Sequence, residues 1–275
     1  MANASRVWFI TGCSSGFGRS LAELALERGE RVVATARYVA SLSWFASTFG
    51  ERACCVGLDV TRPDQVHAAI ERARIAFGRI DVLVNNAGYG LQGAIEDVTD
   101  AQIRAVFETN FFGALAVTRA ALPLLREQRC GHIVNVSSVG GRTSVPLVGI
   151  YSATKFALEG YSIALAAELA PQGIRVTLVE PGAFLTRFGT ASLVSVRPSA
   201  PYAGMGDAMA AALASLKWGD PRQAAVTIME ACDAPEPPLH LVLGEQALGM
   251  VRQTLNEQLA ELARWESLSV SALPN

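Results

Sequence analysis

RVWFITGCSSGFGRSLAELALERGE, residues 6–30, is the stretch on which the fold turns. Its first six residues are an apolar run of strand length, and they end in TGCSSGFG (11–18). Past that turn Leu21, Leu24 and Ala25 recur at helical spacing until Gly29 stops the pattern. A strand that enters a helix through glycines leaves backbone amides and the positive end of the helix dipole at the carboxyl edge of a sheet. That edge is a seat for a phosphate. Gly12 permits the turn, Gly16 lets a pyrophosphate approach the backbone, and Gly18 lets the helix pack close. Tight turns also need glycine for structure alone, and GxxxGxG departs from the common GxGxxG. The flanking strand and helix favour the dinucleotide reading.

The same alternation continues outward. RVVATA (31–36) and ACCVGLDV (53–60) read as strands, and residues 61–78 as a helix with Thr61 and Pro63 at its start. Further strands are expected at 81–88, 131–138, 174–182 and 239–244, with helices over about 99–109, 113–128 and 150–170. Continuous apolar strands joined by helices imply a parallel sheet covered on both faces. The expected class is therefore α/β, Rossmann-type and doubly wound, with a mostly seven-stranded parallel sheet. No linker or repeat precedes residue 183, so one domain over 1–275 is expected. Residues 183–220, rich in Ser, Ala and Pro, are expected as a lid over the site. Residues 245–275 are expected as an amphipathic helical extension carrying Leu248, Val251, Leu255, Leu259 and Leu262.

Composition narrows the function classes. Hydrophobic residues make up 51% of the 275 and charged residues 17%, which suits a large core and argues against disorder. A net charge of −2 and a pI near 6.0 argue against nucleic-acid or anionic-membrane partners. No apolar run approaches the roughly 20 residues that span a bilayer, and VWFI (7–10) is too short for a secretory leader. Five cysteines without a CxxC pair fit a reducing, cytoplasmic setting. His67, His132 and His240 show no metal-ligand spacing, so no metal is expected.

YSATK (151–155) carries the chemistry. On a helix it stacks the Tyr151 phenol over the Lys155 ammonium. Free tyrosine ionises near ~10 and lysine near ~10.4, so neither does acid–base work at neutral pH unaided. Bringing the phenol to about 7 takes roughly 4 kcal/mol of preferential phenolate stabilisation. One ammonium ~5 Å away contributes on the order of 3 kcal/mol at an effective dielectric near 20. A plain surface helix is the competing reading. Ser138 ends the 131–138 strand at the carboxyl edge, where its hydroxyl can donate to a carbonyl or alkoxide, whereas Ser137 reads as a turn or cap serine.

Taken in order, the chain shows TGxxxGxG, then NNAG (85–88), Asn110, Ser138 thirteen residues before YxxxK, and Pro181-Gly182 with Thr186. This set resembles the classical short-chain dehydrogenase/reductase family, closely over about residues 6–186 and loosely beyond. The resemblance implies hydride transfer between NADP(H) and a carbonyl/alcohol pair. It makes Tyr151 the general acid/base, Lys155 the group that lowers its pKa and holds the nicotinamide ribose, and Asn110 the holder of a relay water. It also implies a cofactor site built from Gly12, Ser14, Ser15, Gly16, Phe17 and Gly18, with Asp59 and Val60 at the adenine. Asn86, Ala87 and Gly88 would flank the adenine ribose; Tyr151, Lys155, Pro181, Gly182, Phe184 and Thr186 would complete the site. Two alternatives stay open: Asn110 could satisfy a helix kink, and Asp59 could cap the TRPD helix.

Cofactor choice rests on VVATARYVA (32–40). NAD-binding members place an acid at the end of the second strand. Here no acid is present and Arg37 follows, where a guanidinium can meet a 2′-phosphate or simply be solvated. NADP (NADPH) is expected, with NAD as the alternative. Residues 89–95, 140–150 and 183–196 would line the substrate pocket. Phe184, Leu185, Phe188, Leu193 and Val194 suggest a lipophilic small molecule, unless they only pack a lid, and Arg142 or Arg187 could meet a carboxylate. By resemblance a homo-oligomer is expected, a dimer through 99–128 and 150–170 or a tetramer that also uses residues from 244 onward. Rival readings are a related epimerase or dehydratase, whose glycine turn is spaced differently, and a non-catalytic NADP(H)-binding regulator.

Overall fold

The structure is a computed structural model that describes residues 5–189 and 191–272. β1 (Val7–Ile10) enters α1 (Gly16–Glu27) through the glycine turn, and β2 (Arg31–Ala36) returns beside β1. After α2 (Ser43–Phe49), β3 (Ala53–Gly57) pairs with β2. α3 (Pro63–Phe77) then crosses to β4 (Val82–Asn85) on the other side of β1. The short β5 (Gly90–Gln92) leads to α4 (Asp100–Phe107), a π-helical segment Glu108–Gly113 and α5 (Ala114–Gln128). β6 (Gly131–Val136), α6 (Gly149–Leu169) and β7 (Ile174–Pro181) follow. β8 (Leu193–Ser195), α7 (Ala203–Ser215), α8 (Pro221–Asp233), β9 (His240–Leu243) and α9 (Glu245–Val270) complete the chain. Seven strands form one sheet in the order β3-β2-β1-β4-β6-β7-β9, and every pairing in it is parallel. This is the expected doubly wound α/β arrangement.

The two-residue period of the strands distributes their side chains between two cores. Trp8, Ile10, Val32, Ala34, Val82 and Val84 pack under α1 and α8, with Phe45 of α2. Phe9, Val33, Leu83 and Ile133 pack on the opposite face under α3, α5 and α6. A strand buried on both faces can carry no exposed polar position, which is why β1 reads VWFI without interruption. Because the chain leaves β1 first toward β2 and later toward β4, the carboxyl ends of β1 and β4 flank the crevice where such sheets bind ligands.

Several local expectations need correction. α1 begins at Gly16, with the second glycine already inside the helix, and α3 starts at Pro63 with Arg62 before it. α2 and α8 were not anticipated, and the expected lid contains α7, a helix with no buried residue. Residues 1–4, Thr190 of that lid and 273–275 of the C-terminal extension lie outside the described residues. Of the expected α9 stripe only Val251 is buried; Leu255, Leu259 and Leu262 are exposed. Among the described residues no helix is long and apolar enough to cross a membrane.

Candidate active site

The glycine turn is a cradle without an acid. Gly12 and Gly16 have φ of +74° and +59°, a region that disfavours any side chain. A Cβ on Gly18 would lie 2.5 Å from Asn86 Nδ2 and 2.6 Å from the Gly12 carbonyl oxygen, so this position must be glycine for the helix to seat. Asn86 Nδ2 donates to the carbonyls of Thr11 and Gly12 at 2.8 and 3.1 Å, and Thr11 Oγ1 accepts from the Asn86 and Ala87 amides, both at 2.9 Å. Thr11 thus ties the NNAG turn to the glycine turn, a role the sequence did not announce. At the start of α1, Ser15 makes no side-chain cap bond and the first turn holds no acidic residue. The free amides and the helix dipole suit a phosphate there. A cavity of about 360 Å³ opens over this end, lined by Ser14, Ser15, Gly16, Arg19, Thr186 and Arg187 among others. Phe17 packs edge-on against Phe184 with ring centroids 5.1 Å apart. These residues fit a dinucleotide.

At the far side of the crevice Arg37 is exposed directly after β2, and its charge opposes the upward push that burial gives the Tyr89 phenol. Asp59 Oδ1 accepts from the Thr61 amide and hydroxyl at 3.0 and 2.8 Å, so it braces the turn before α3 and is not the helix cap. Val60 is buried against Gly113, where an added Cβ would come within 2.5 Å of it.

β6 and α6 bring the YSATK motif and its serine together. Ser138 follows β6, its Oγ accepts from the Gly140 amide at 3.0 Å, and it hydrogen-bonds the Tyr151 phenol. Lys155 Nζ lies 5.9 Å from the Tyr151 ring centroid and donates to the Val136 carbonyl at 2.9 Å. Burial pushes the Tyr151 phenol up to about 12, with Ser138 pulling the other way. Burial also pushes Lys155 down to about 8. The expected depression of Tyr151 by Lys155 is therefore not met in the free protein. The ammonium is itself desolvated, sits over the ring face and is bonded to a carbonyl, so desolvation of the phenolate wins.

Asn110 lies in the π-helical segment, where its Oδ1 accepts from the Tyr89 amide at 3.0 Å. Its Nδ2 donates to the Tyr89 carbonyl at 2.9 Å and to Thr154 Oγ1 at 3.2 Å. The side chain thus braces the turn after β4 through Tyr89 and does not bond the backbone of its own helix. It still borders the site: a Cβ on Gly88 would lie 3.0 Å from Asn110 Oδ1 and 3.9 Å from Lys155 Nζ. Gly182 donates its amide to the Leu243 carbonyl at 3.0 Å, fixing the turn after β7 between Pro181 and α9.

The segment after β7 docks through β8, which pairs in parallel with β5 (Gly90↔Leu193). Gly90 makes room for it, since an added Cβ would lie 2.8 Å from Leu193 Cδ1. Phe188 stands 5.4 Å from the Tyr151 ring and is itself exposed, as are Leu185 and Val194. Leu147, whose carbonyl accepts from the Gly93 amide at 2.7 Å, is buried and holds φ +67°, a strained value for a leucine. Arg142 is not available to a substrate carboxylate, because its guanidinium is paired with the buried Glu180 at 3.0 Å.

Residues 6–193 match the family model described as short chain dehydrogenase. The oxidoreductase BOA17 of Botryotinia fuckeliana is 38% identical, over 98% of this chain and 99% of that one. The 3-ketodihydrosphingosine reductase of Bacteroides thetaiotaomicron is 43% identical over 66% of this chain and 65% of its own. Among solved structures, a short-chain dehydrogenase from Streptomyces avermitilis superposes with a TM-score of 0.93 at 40% identity, covering 99% of this chain and 100% of that one. A Burkholderia phymatum member in complex with NAD gives 0.80 at 28% identity (92% and 95% covered). A Burkholderia cenocepacia member in complex with NADP gives 0.76 at 28% (94% and 97%).

Proposed function

The chain belongs to the short chain dehydrogenase family, and we propose that it is an NADP(H)-dependent oxidoreductase interconverting a carbonyl and a secondary alcohol on a lipophilic substrate. The observation that carries this reading is the meeting of Ser138, Tyr151 and Lys155 at the carboxyl edge of β6, beside an acid-free glycine cradle. The cradle, with Arg37, Asn86, Gly88, Lys155 and Thr186, would hold the dinucleotide. NADPH, when bound, supplies the hydride. Ser138 donates to the substrate oxygen and Tyr151 delivers a proton to it. A phenol held near 12 keeps that proton through neutral pH until it is needed. Lys155 meets the resulting phenolate with positive charge. Asn110, its amide occupied, shapes the space beside Gly88 and Lys155 through which the proton returns.

The absence of an acid at the end of β2 and the presence of Arg37 support NADP over NAD, both of which family structures hold. Phe188 on Tyr151, with residues 183–220 as a lid, supports an apolar substrate, and one relative is named for a ketone on a sphingoid chain. Exposed Phe112, Phe156 and Ile163, together with the α9 stripe, support a homo-oligomer, and free cysteines support a cytoplasmic setting. The test is NADPH and NADH oxidation against aromatic, steroid-like and long-chain ketones and aldehydes. Turnover with NADPH preferred is expected. Tight NADPH binding without turnover of any carbonyl would overturn the reading in favour of a regulator.

A further inference from the structure

Behind the YSATK turn lies a second polar cluster that the hydride chemistry leaves unused. Glu159 stands one helical turn beyond Lys155 on α6, Glu180 is wholly buried in β7, His240 opens β9, and Arg142 precedes α6. Arg142 Nη1 donates to both Glu180 oxygens at 3.0 and 3.2 Å, and His240 Nδ1 lies 2.7 Å from Glu180 Oε1. Glu180 is therefore satisfied from two sides. Glu159 is not: it is 4% exposed, and among the described residues neither carboxylate oxygen has a hydrogen bond of ordinary geometry. His240 Nδ1 is 3.5 Å from Glu159 Oε2. Ser137 Oγ faces Glu159 across Gly141, where a Cβ would lie 2.7 Å from the hydroxyl and 3.0 Å from Glu159 Oε1, and it is a neutral donor turned toward that carboxylate.

A carboxylate in that condition needs a counter-charge. The ligand atoms of Glu159, Glu180 and His240 fall within 4.8 Å of one another, a spacing a cation could bridge. Arg142 and Lys155 already set two positive charges against the two carboxylates, so an added cation would be repelled. Lys155 is the one left over. It is 5% exposed, and its hydrogen bond to the Val136 carbonyl is to a neutral acceptor that cannot balance the charge. We propose that Glu159 is a positioning residue that holds Lys155 in its ammonium form, so that Tyr151 can be reprotonated and its phenolate met by charge at neutral pH. This rests on the reading of Tyr151 and Lys155 given above.

The charge states agree with this pairing. Burial pushes Glu159 up to about 7; Ser137, Arg142 and Lys155 pull it down, and Glu180 pushes it further up. Burial pushes Lys155 down to about 8, and Glu159 is the charge that holds it up. The two therefore titrate in adjoining ranges as a coupled pair. Removing the carboxylate takes a negative charge from beside the ammonium, so Lys155 must lose its proton at a lower pH.

The chain has two lysines, Lys155 and Lys217, which makes a direct test simple. In protein labelled with ¹³Cε-lysine, Lys217→Arg leaves the Lys155 signal alone. In otherwise wild-type protein that signal is expected to titrate in two steps, near 7 and near 8. Glu159→Gln should leave one step, lower by about one pH unit. The alkaline limb of kcat/KM should fall by the same amount, and Glu159→Asp should restore both. A single wild-type step with an unmoved signal in Glu159→Gln would overturn the proposal. The wild-type titration needs no change at Glu159, so a variant that fails to fold leaves the test standing. Full turnover by Tyr151→Phe would instead remove the reading of the site, whatever the lysine signal does.

Discussion

Replacing Arg37 with alanine asks how the chain selects its nucleotide. Arg37 is exposed just past β2 and, among the described residues, makes no hydrogen bond or ion pair. Its removal strands no internal partner, so stability should change by less than about 0.5 kcal/mol. Any effect should then appear in the nucleotide alone. A hydrogen bond to a charged group is worth about 1.5–3 kcal/mol, and exposure to water discounts it toward the lower figure. With 1.4 kcal/mol per factor of ten, kcat/KM for NADPH should fall about tenfold, and at most a hundredfold. NADH has no 2′-phosphate, so its kcat/KM should barely move. The assay is kcat/KM for both nucleotides in both proteins with one carbonyl substrate. If the wild type prefers NADH, or the substitution harms both nucleotides equally, Arg37 is not the selector. A fall in melting temperature would place it in the fold.

Three further outcomes follow from packing and burial. Gly18→Ala drives a Cβ into Asn86 Nδ2 and the Gly12 carbonyl, so urea denaturation should show a loss of about 1–3 kcal/mol, and a wild-type midpoint would contradict the close seating of α1. Arg142→Ala leaves Glu180 buried beside Glu159 with His240 as its remaining hydrogen-bond partner and should cost about 3–5 kcal/mol; a raised KM with unchanged stability would return Arg142 to the substrate. Thr177 Oγ1 donates to the Pro238 carbonyl and so accepts from His132 Nε2, which fixes the neutral tautomer and leaves Nδ1 buried without a partner. Burial pushes that imidazole down to about 4 from 6.5. The unfolded chain therefore binds the proton first, and stability falls as pH drops from about 6.5 to about 4, by at most about 3 kcal/mol. His132→Asn should remove this contribution, so a wild-type-minus-variant difference in urea midpoint that does not change across that window would refute burial as its cause.

What the sequence made legible was whatever depends on neighbours along the chain. β1 had to be VWFI because both of its faces are buried, and the helix had to start at glycines because Asn86 and Gly12 leave no room for a side chain. Ser138 and Tyr151 could be paired by spacing because β6 and α6 are consecutive. α8 carries a local pattern: Asp220 caps it, Pro221 opens it, and Ala224, Ala225, Ile228, Met229 and Cys232 repeat on its buried face. α7 offered no such face, since none of its residues is buried. The β5–β8 pair depends on Gly90 meeting Leu193, and the cluster of Arg142, Glu159, Glu180 and His240 on four separate segments, so neither leaves a local pattern. The pKa of Tyr151 in the free protein has no local pattern for a related reason. Spacing places Lys155 beside Tyr151, but burial of the phenol, which Ser138 only partly offsets, sets the direction.

The central claim is that Tyr151 moves the proton. It is tested most directly by kcat for NADPH-dependent carbonyl reduction in Tyr151→Phe, with the NADPH dissociation constant measured on the same protein. The ring of Phe can keep the packing against Phe188 while losing the hydroxyl that bonds Ser138. General acid–base catalysis is worth about 10²–10⁴-fold, so kcat should fall by that factor with NADPH affinity nearly unchanged. A variant that keeps more than about a tenth of wild-type kcat, far above that range, would contradict the account.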